Sequence, residues 1–248
     1  MIFKDRTTAG QQLAKQLAEQ LAEQLAEQLS SYTDRPDLLI LALPRGGVPV
    51  AFEVAKALHA DLDVYVVRKL GVPGQPELAM GAIAAGGVSV LNQSIITAHQ
   101  ISAAMIEQVA TQERQELERR ERLYRGDRPL PILRDRTIIV VDDGLATGAT
   151  MRAALQALRL QQPAQLIVAA PIAAESTCRQ LEMLADRVIC VEVSDRLSSI
   201  GHWYADFSQT TDETVCGLLQ QAREHRHDCP SIPPLSPKYN GSISGIYY

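Results

Sequence analysis

The stretch Ile138-Ile139-Val140-Val141-Asp142-Asp143-Gly144-Leu145-Ala146-Thr147-Gly148-Ala149-Thr150 decides the fold. A run of apolar residues without polar alternation predicts a strand buried on both faces. Two acids mark its end, a tight glycine turn follows, and a helix begins. Such a turn sends consecutive backbone N–H groups and the positive helix end toward one point, with the Thr147 and Thr150 hydroxyls nearby. That is a cradle for a phosphate. It is not a P-loop, because the lysine of GxxxxGK[ST] is missing. Two adjacent carboxylates repel a phosphate unless they face hydroxyl groups or a divalent cation. A sugar phosphate bound with Mg²⁺ meets that requirement.

Working outward, the same alternation recurs. Upstream, LLILAL (Leu38 to Leu43) is a short apolar run, followed by Pro44-Arg45-Gly46-Gly47 and a helical stretch with Val50, Val54 and Leu58 on one face. LDVYVVRKL (Leu62 to Leu70) reads as the next strand, GVPGQPELAM (Gly71 to Met80) as a turn-rich loop, and GAIAAGGVSVL as a small hairpin about Gly86-Gly87. One long helix is expected from Ser94 to Arg125. Downstream, QLIVAAPI, a helix from Glu175 and RVICVEV continue the pattern. Apolar strands separated by helices predict a parallel sheet of right-handed βαβ units, whose ligands sit at the carboxyl ends of the strands.

From Ala9 to Ser30 the repeat LAKQ, LAEQ, LAEQ, LAEQ spaces Leu13, Leu17, Leu21, Leu25 and Leu29 four apart in strong helix formers. A period of four overshoots 3.6, so the leucine stripe drifts by about 40° per repeat and does not form a straight coiled-coil seam. The expectation is packing either on its own domain or on a second subunit, the latter making a homo-oligomer.

The 248 residues, 46% hydrophobic and 21% charged, can fill a core. No apolar run reaches the roughly 18 residues that cross a bilayer, and MIFKDRTTAGQQ lacks the apolar centre of a signal peptide, so a cytoplasmic protein is expected. Cys178, Cys190, Cys216 and Cys229 have no CxxC or zinc-like spacing and read as mostly buried thiols. A net charge of −5 gives no reason to expect nucleic acid. The Arg-rich run Arg114 to Arg125 reads as a solvated helix face. His59, His99, His225 and His227 have no catalytic arrangement around them.

The order of apolar run, two acids, short turn and T-G-x-T at Ile138 to Thr150 resembles the hallmark of the type I phosphoribosyltransferases. The resemblance implies that Asp142 and Asp143 bind the ribose 2′ and 3′ hydroxyls of phosphoribosyl pyrophosphate, directly or through metal and water. It implies equally that Ala146, Thr147, Gly148, Ala149 and Thr150 hold the 5′-phosphate. Ala146 departs from the family, which often has Thr or Ser there, so a hydroxyl contact is lost while backbone amides remain. Taken alone, the segment also suits an acidic strand end that caps a helix.

Leu43-Pro44-Arg45-Gly46-Gly47 resembles the family's pyrophosphate-binding loop: glycines let the backbone approach an anion, and Arg45 offers a bidentate fork. Arg68 and Lys69 stand where the family carries pyrophosphate-binding cations before a mobile lid, yet between Gly71 and Met80 the only charge is Glu77. Without that context these residues are a glycine turn and a solvated strand end. Ser199 to Phe207 (SIGHWYADF) holds the only Trp and one of three Phe. With the following QTTDETV it resembles a group of bacterial predicted phosphoribosyltransferases of unassigned acceptor, over most of the chain. Either Trp203 or Tyr204 stacks on a heterocycle while Asp206 accepts a base N–H, or Trp203 and Phe207 pack on the sheet while Thr210 or Thr211 caps the helix ending near Arg226.

The expected fold is therefore a three-layer α/β domain of the type I phosphoribosyltransferase kind, with a mostly parallel central sheet, a small hood and an N-terminal amphipathic helix. Residues 1–34 form that helix packed on the core. Residues 35–228 form the phosphoribosyltransferase-like domain, with the hood near 81–125 and 196–210, and residues 229–248 form an irregular tail. The resemblance implies a glycosyltransferase of the pentosyl class in nucleotide metabolism. It would use Mg²⁺ held at Asp142 and Asp143 to transfer ribose 5-phosphate to a small heterocyclic acceptor and release pyrophosphate. Arg45, Arg68 and Lys69 would neutralise the leaving group. The alternatives are a non-catalytic sensor of phosphoribosyl pyrophosphate or a nucleotide, and a nucleotide hydrolase. Neither a nucleic-acid nor a membrane partner is expected.

Overall fold

A computed structural model describes residues 3–28 and 37–227; Cys229 and the tail expected over 229–248 lie outside the described residues. In chain order the elements are α1 (Arg6–Gln28), β1 (Leu38–Ala42), α2 (Gly47–Ala57), β2 (Asp61–Val64), β3 (Val67–Val72), β4 (Gln75–Ala84), β5 (Val88–Leu91), α3 (Gln93–Ala98), α4 (Ala103–Arg125), β6 (Thr137–Val141), α5 (Ala149–Arg159), β7 (Gln165–Ala174), α6 (Glu175–Leu181), β8 (Arg187–Ser194) and α7 (Asp212–His227).

Five strands pair in parallel in the order β2-β1-β6-β7-β8. The chain steps from β1 to β2 in one direction and from β6 through β7 to β8 in the other. The order reverses between β1 and β6, and the loops leaving those neighbouring strands open a crevice at their carboxyl ends. Every residue of β1 and β6 is buried, as an apolar run in a doubly covered sheet requires. On one face Ile40, Ile139 and Ile167 join Leu13 and Leu17 of α1, Val50 and Val54 of α2 and Val215 of α7. On the other, Leu41, Val140 and Val168 join Leu155 and Leu158 of α5 and Leu181 of α6. Helices on both faces make three layers.

Helix α1 starts at Asp5, whose carboxylate accepts the Thr8 N–H at 2.7 Å, an N-cap bond that also lowers the Asp5 pKa. Leu13, Leu17 and Leu21 are buried in the cluster shared with α2, while the Leu25 side chain and Leu29 lie outside the described residues. A Cβ at Gly10 would stand 2.7 Å from the Val50 carbonyl oxygen, so the backbones of α1 and α2 touch there.

Three sequence-based expectations are corrected. LDVYVVRKL is not one strand: β2 ends at Val64, and β3 opens a separate antiparallel sheet in the order β3-β4-β5. The run stays apolar because Tyr65 and Val66, 3% and 1% exposed, cross the interior between the sheets. GVPGQPELAM is not a loop but the tip of the β3–β4 hairpin, turned at Gly74 (φ 81°) and bulged about Gly71. The second sheet thus begins at Val67. Finally, the helix expected over 94–125 is two helices, broken at Gln100 (φ 50°) and capped by Asn92 and Ser102.

The arginine-rich α4 is not wholly solvated either. Arg125 is buried, donating to the Asp63 carboxylate (3.3 Å) and the Val64 carbonyl (2.9 Å), and so pins the hood helix to the edge of the main sheet. Among the described residues no helix is long and apolar enough to cross a membrane.

Leu17 is fully buried whereas its neighbour Ala18 is exposed. Leu17→Ala should cost about 2–5 kcal/mol and Ala18→Ser less than about 0.5 kcal/mol, measured by denaturant unfolding. Equal, small effects would mean that α1 does not pack on the core in solution.

Candidate active site

The loops after β1 and β6 meet because their strands are neighbours, with Ala42 opposite Val141 and the Leu43 N–H bonded to the Val141 carbonyl at 2.9 Å. Residues Pro44 to Gly47 turn the chain into α2, with a cis peptide bond between Pro44 and Arg45. A Cβ on Gly46 would lie 2.0 Å from Asp143 Oδ2, and one on Gly47 would lie 2.6 Å from the Val141 carbonyl and 3.0 Å from Asp142 Cα. Both glycines are thus required by the close approach of the two loops.

Asp142 Oδ1 accepts the Asp143 N–H at 2.9 Å. Burial, then the neighbouring Asp143 charge, pushes the Asp142 carboxyl well above the usual carboxylate range. Asp143 is buried. Its Oδ2 takes the Arg6 Nε–H at 2.8 Å, and its carbonyl accepts the Tyr204 hydroxyl at 2.7 Å.

Past the acids, Leu145 bonds across to β7, and Gly148 takes the left-handed conformation (φ 64°) that starts α5. A Cβ there would meet Thr177 Cγ2 at 2.5 Å. Thr177 of α6 donates its hydroxyl to the Ala146 carbonyl, and Arg152 donates to the Thr147 carbonyl at 2.6 Å. With carbonyls held from outside, the N–H groups of residues 146–150 have no acceptor among the described residues, which leaves a helix-terminal anion cradle.

The cations are placed differently from one another. Arg45 is half-buried and loosely paired at 3.9 Å with Asp212, which also accepts the Tyr124 hydroxyl. Arg68 of β3 is bound to Glu113 of α4 at 2.6 Å, so it sits in the hood with a carboxylate already on it, and Lys69 is the next residue of that strand. The aromatic segment divides too. Tyr204 is buried, its ring 5.4 Å from Phe3 and 5.1 Å from Phe207, with burial pushing its pKa up. Its ring is packed against Phe3 and Phe207 and its hydroxyl is used on Asp143. Trp203 is half-buried at the edge of that cluster. Asp206 accepts the Ser208 N–H at 2.9 Å, and Thr211 accepts the Thr214 N–H at 3.2 Å at the start of α7.

Comparison with known proteins agrees with this geometry. The profile of the phosphoribosyl transferase domain matches residues 9–206. The chain belongs to the phosphoribosyltransferase family. It is 43% identical over 252 aligned residues to "Putative phosphoribosyl transferase Rv0571c" of Mycobacterium tuberculosis H37Rv, and equally to its counterpart in strain CDC 1551. Those alignments take in 98% of this chain and 53% of each relative, so the chain spans about half the length of the curated relatives it matches. Among solved structures, that of TT1426 from Thermus thermophilus is 37% identical, covers 89% of this chain and 99% of its own, and superposes with a TM-score of 0.75.

Sequence reading of this family member missed Arg6, Thr177 and Asp212, which touch the site from α1, α6 and α7. Each stands in an unremarkable local pattern and is far in sequence from the motif it contacts.

The raised Asp142 pKa has a definite sign. Its ionised form is penalised in the folded chain, so stability falls as pH rises above the unfolded value of about 3.9. Asp142→Asn should therefore raise the melting temperature of metal-free, ligand-free protein at pH 7, by a margin that shrinks toward pH 4. Melts in chelator from pH 4 to 8 check this; a loss at pH 7, or a gain independent of pH, contradicts it.

Proposed function

We propose that this chain binds phosphoribosyl pyrophosphate at the β1/β6 crevice and transfers its ribose 5-phosphate group to a heterocycle nitrogen, releasing pyrophosphate. The observation that carries the reading is the meeting of three elements at the carboxyl ends of two neighbouring strands: the Arg45-Gly46-Gly47 turn, the Asp142-Asp143 pair and the donor-rich loop at 146–150. Each matches one part of the substrate. The turn suits the pyrophosphate, the acids suit the ribose diol, and the loop suits the 5′-phosphate.

The donor set also suits Mg²⁺. No three His, Cys, Asp or Glu side chains gather to hold a metal among the described residues, and Mg²⁺ bound with phosphates needs only one or two protein carboxylates. Asp142 and Asp143 would hold it, directly or through water. When bound, the ion neutralises charge on the departing pyrophosphate. The chain's own part is to fix the ribose with the acid pair and the 5′-phosphate with the loop, so that displacement at the anomeric carbon is aligned. Arg45, weakly paired and half-buried, can turn to the leaving group; Arg68 must exchange Glu113 to do so, with Lys69 beside it. Trp203 is the aromatic candidate for the acceptor.

The Arg68–Glu113 pair favours a second reading, a sensor that binds the same ligand without turnover. Incubation with phosphoribosyl pyrophosphate, Mg²⁺ and a panel of purines, pyrimidines and pyridines separates the two, since only the transferase releases pyrophosphate in step with acceptor. In either case Asp142→Asn/Asp143→Asn should weaken binding of Mg²⁺·phosphoribosyl pyrophosphate by about two orders of magnitude, each charge-assisted bond being worth roughly 1.5–3 kcal/mol. Equal affinities by calorimetry would remove the ribose assignment. Trp203 offers a third readout. Its fluorescence should change when the active base is added with pyrophosphate and Mg²⁺, and Trp203→Leu should weaken acceptor binding more than phosphoribosyl pyrophosphate binding. An unchanged acceptor affinity would leave Trp203 as a packing residue.

A further inference from the structure

Arg6 precedes every motif by more than thirty residues, yet it sits against the acid pair. Its Nε–H bonds Asp143 Oδ2 at 2.8 Å, its Nη1 bonds the Ser208 carbonyl at 2.7 Å, and its guanidinium lies 4.0 Å from the centre of the Phe207 ring. Its side chain is only 11% exposed. The segment that carries it is stitched to residues 203–206 by Phe3 N–H to Trp203 O (3.0 Å), Ala205 N–H to Phe3 O (2.9 Å) and Asp206 N–H to Lys4 O (2.9 Å). The guanidinium is thus anchored by groups other than Asp143, and Tyr204 of the same clasp holds the Asp143 carbonyl.

Two neighbouring carboxylates, Asp143 buried and Asp142 half-buried, have both a charge problem and an orientation problem. Unpaired, they repel each other and any approaching phosphate. A fixed cation on one of them cancels half of the negative charge and pins that carboxylate by a charge-assisted bond before ligand arrives. We propose that Arg6 is a positioning residue of the ribose site, acting through Asp143: it holds this carboxylate in the orientation that meets the ribose diol and lowers the repulsion that an anionic sugar phosphate encounters. The inference rests on the phosphoribosyl reading above. It makes the N-terminal segment and residues 203–208 a working part of the site instead of a cover on it.

The test is a double-mutant cycle read by calorimetry with Mg²⁺·phosphoribosyl pyrophosphate, using the full chain and checking each variant's fold by circular dichroism. Arg6→Gln should weaken binding about tenfold or more, and Arg6→Lys, which keeps a charge but not the fork, by a lesser factor. On an Asp143→Asn background neither change should weaken binding further, because the group through which Arg6 acts is already altered. A merely structural arginine would give the same loss on both backgrounds. If Arg6→Gln does not fold, the Arg6→Lys pair decides by the same criterion. Wild-type affinity in folded Arg6→Gln, or equal losses on both backgrounds, overturns the inference and leaves the phosphoribosyl reading intact. Absence of binding by the wild type overturns that reading, and this inference with it.

Discussion

The site depends on one steric constraint: the backbone at Gly46 lies so close to the Asp143 carboxylate that no Cβ can stand between them. That contact exists because β1 and β6 are parallel neighbours in register and because the chain leaves them toward opposite edges of the sheet. Two loops rising from adjacent strands, one turning into α2 and the other into α5, bring two helix N-termini to one crevice. Glycine is demanded where these backbones touch, and the acids are demanded by whatever fills the crevice.

The surrounding elements hold that junction from two sides, and the hood is tied down separately. Thr177 of α6 and Arg152 of α5 take the Ala146 and Thr147 carbonyls, and the amides of residues 146–150 have no acceptor among the described residues. The clasp of Phe3, Arg6 and Tyr204 grips Asp143 by side chain and carbonyl. The hood is tied down by Arg125 on Asp63 and Val64. Removing one partner of such a buried pair leaves an uncompensated charge, typically a cost of about 3–5 kcal/mol, so the hood's foot is fixed to the main sheet.

The parallel sheet was legible because its strands are buried on both faces, and Leu38 to Leu43 and Ile138 to Val141 therefore carry no polar alternation. The adjacency of their loops follows from that sheet. Local pattern could not show a change of partner: Tyr65 and Val66 are as apolar as the strands on either side, so the passage from main sheet to hood was hidden. Gly71 and Gly74 signalled a turn, but a hairpin and an open loop use the same residues. The break at Gln100 was foreshadowed only by Ser102, which caps the start of α4. Arg6 was beyond reach, since its meaning lies in a contact spanning 137 positions, and Tyr204 was singled out without its bond to Asp143 across 61 positions.

Identity to TT1426 across nearly its whole length places the fold firmly, while the proposed function stands on chemistry at the β1/β6 crevice. The central claim is that the Arg45 turn, the acid pair and the loop at 146–150 are three parts of one sugar-phosphate site. The most direct measurement is a crystal structure of the chain grown with phosphoribosyl pyrophosphate and Mg²⁺. The expected result is ribose hydroxyls against Asp142 and Asp143, the 5′-phosphate on the amides of residues 146–150 and the pyrophosphate over Arg45-Gly46-Gly47. A ligand bound elsewhere, or turned so that the acid pair faces no part of the sugar, would contradict it.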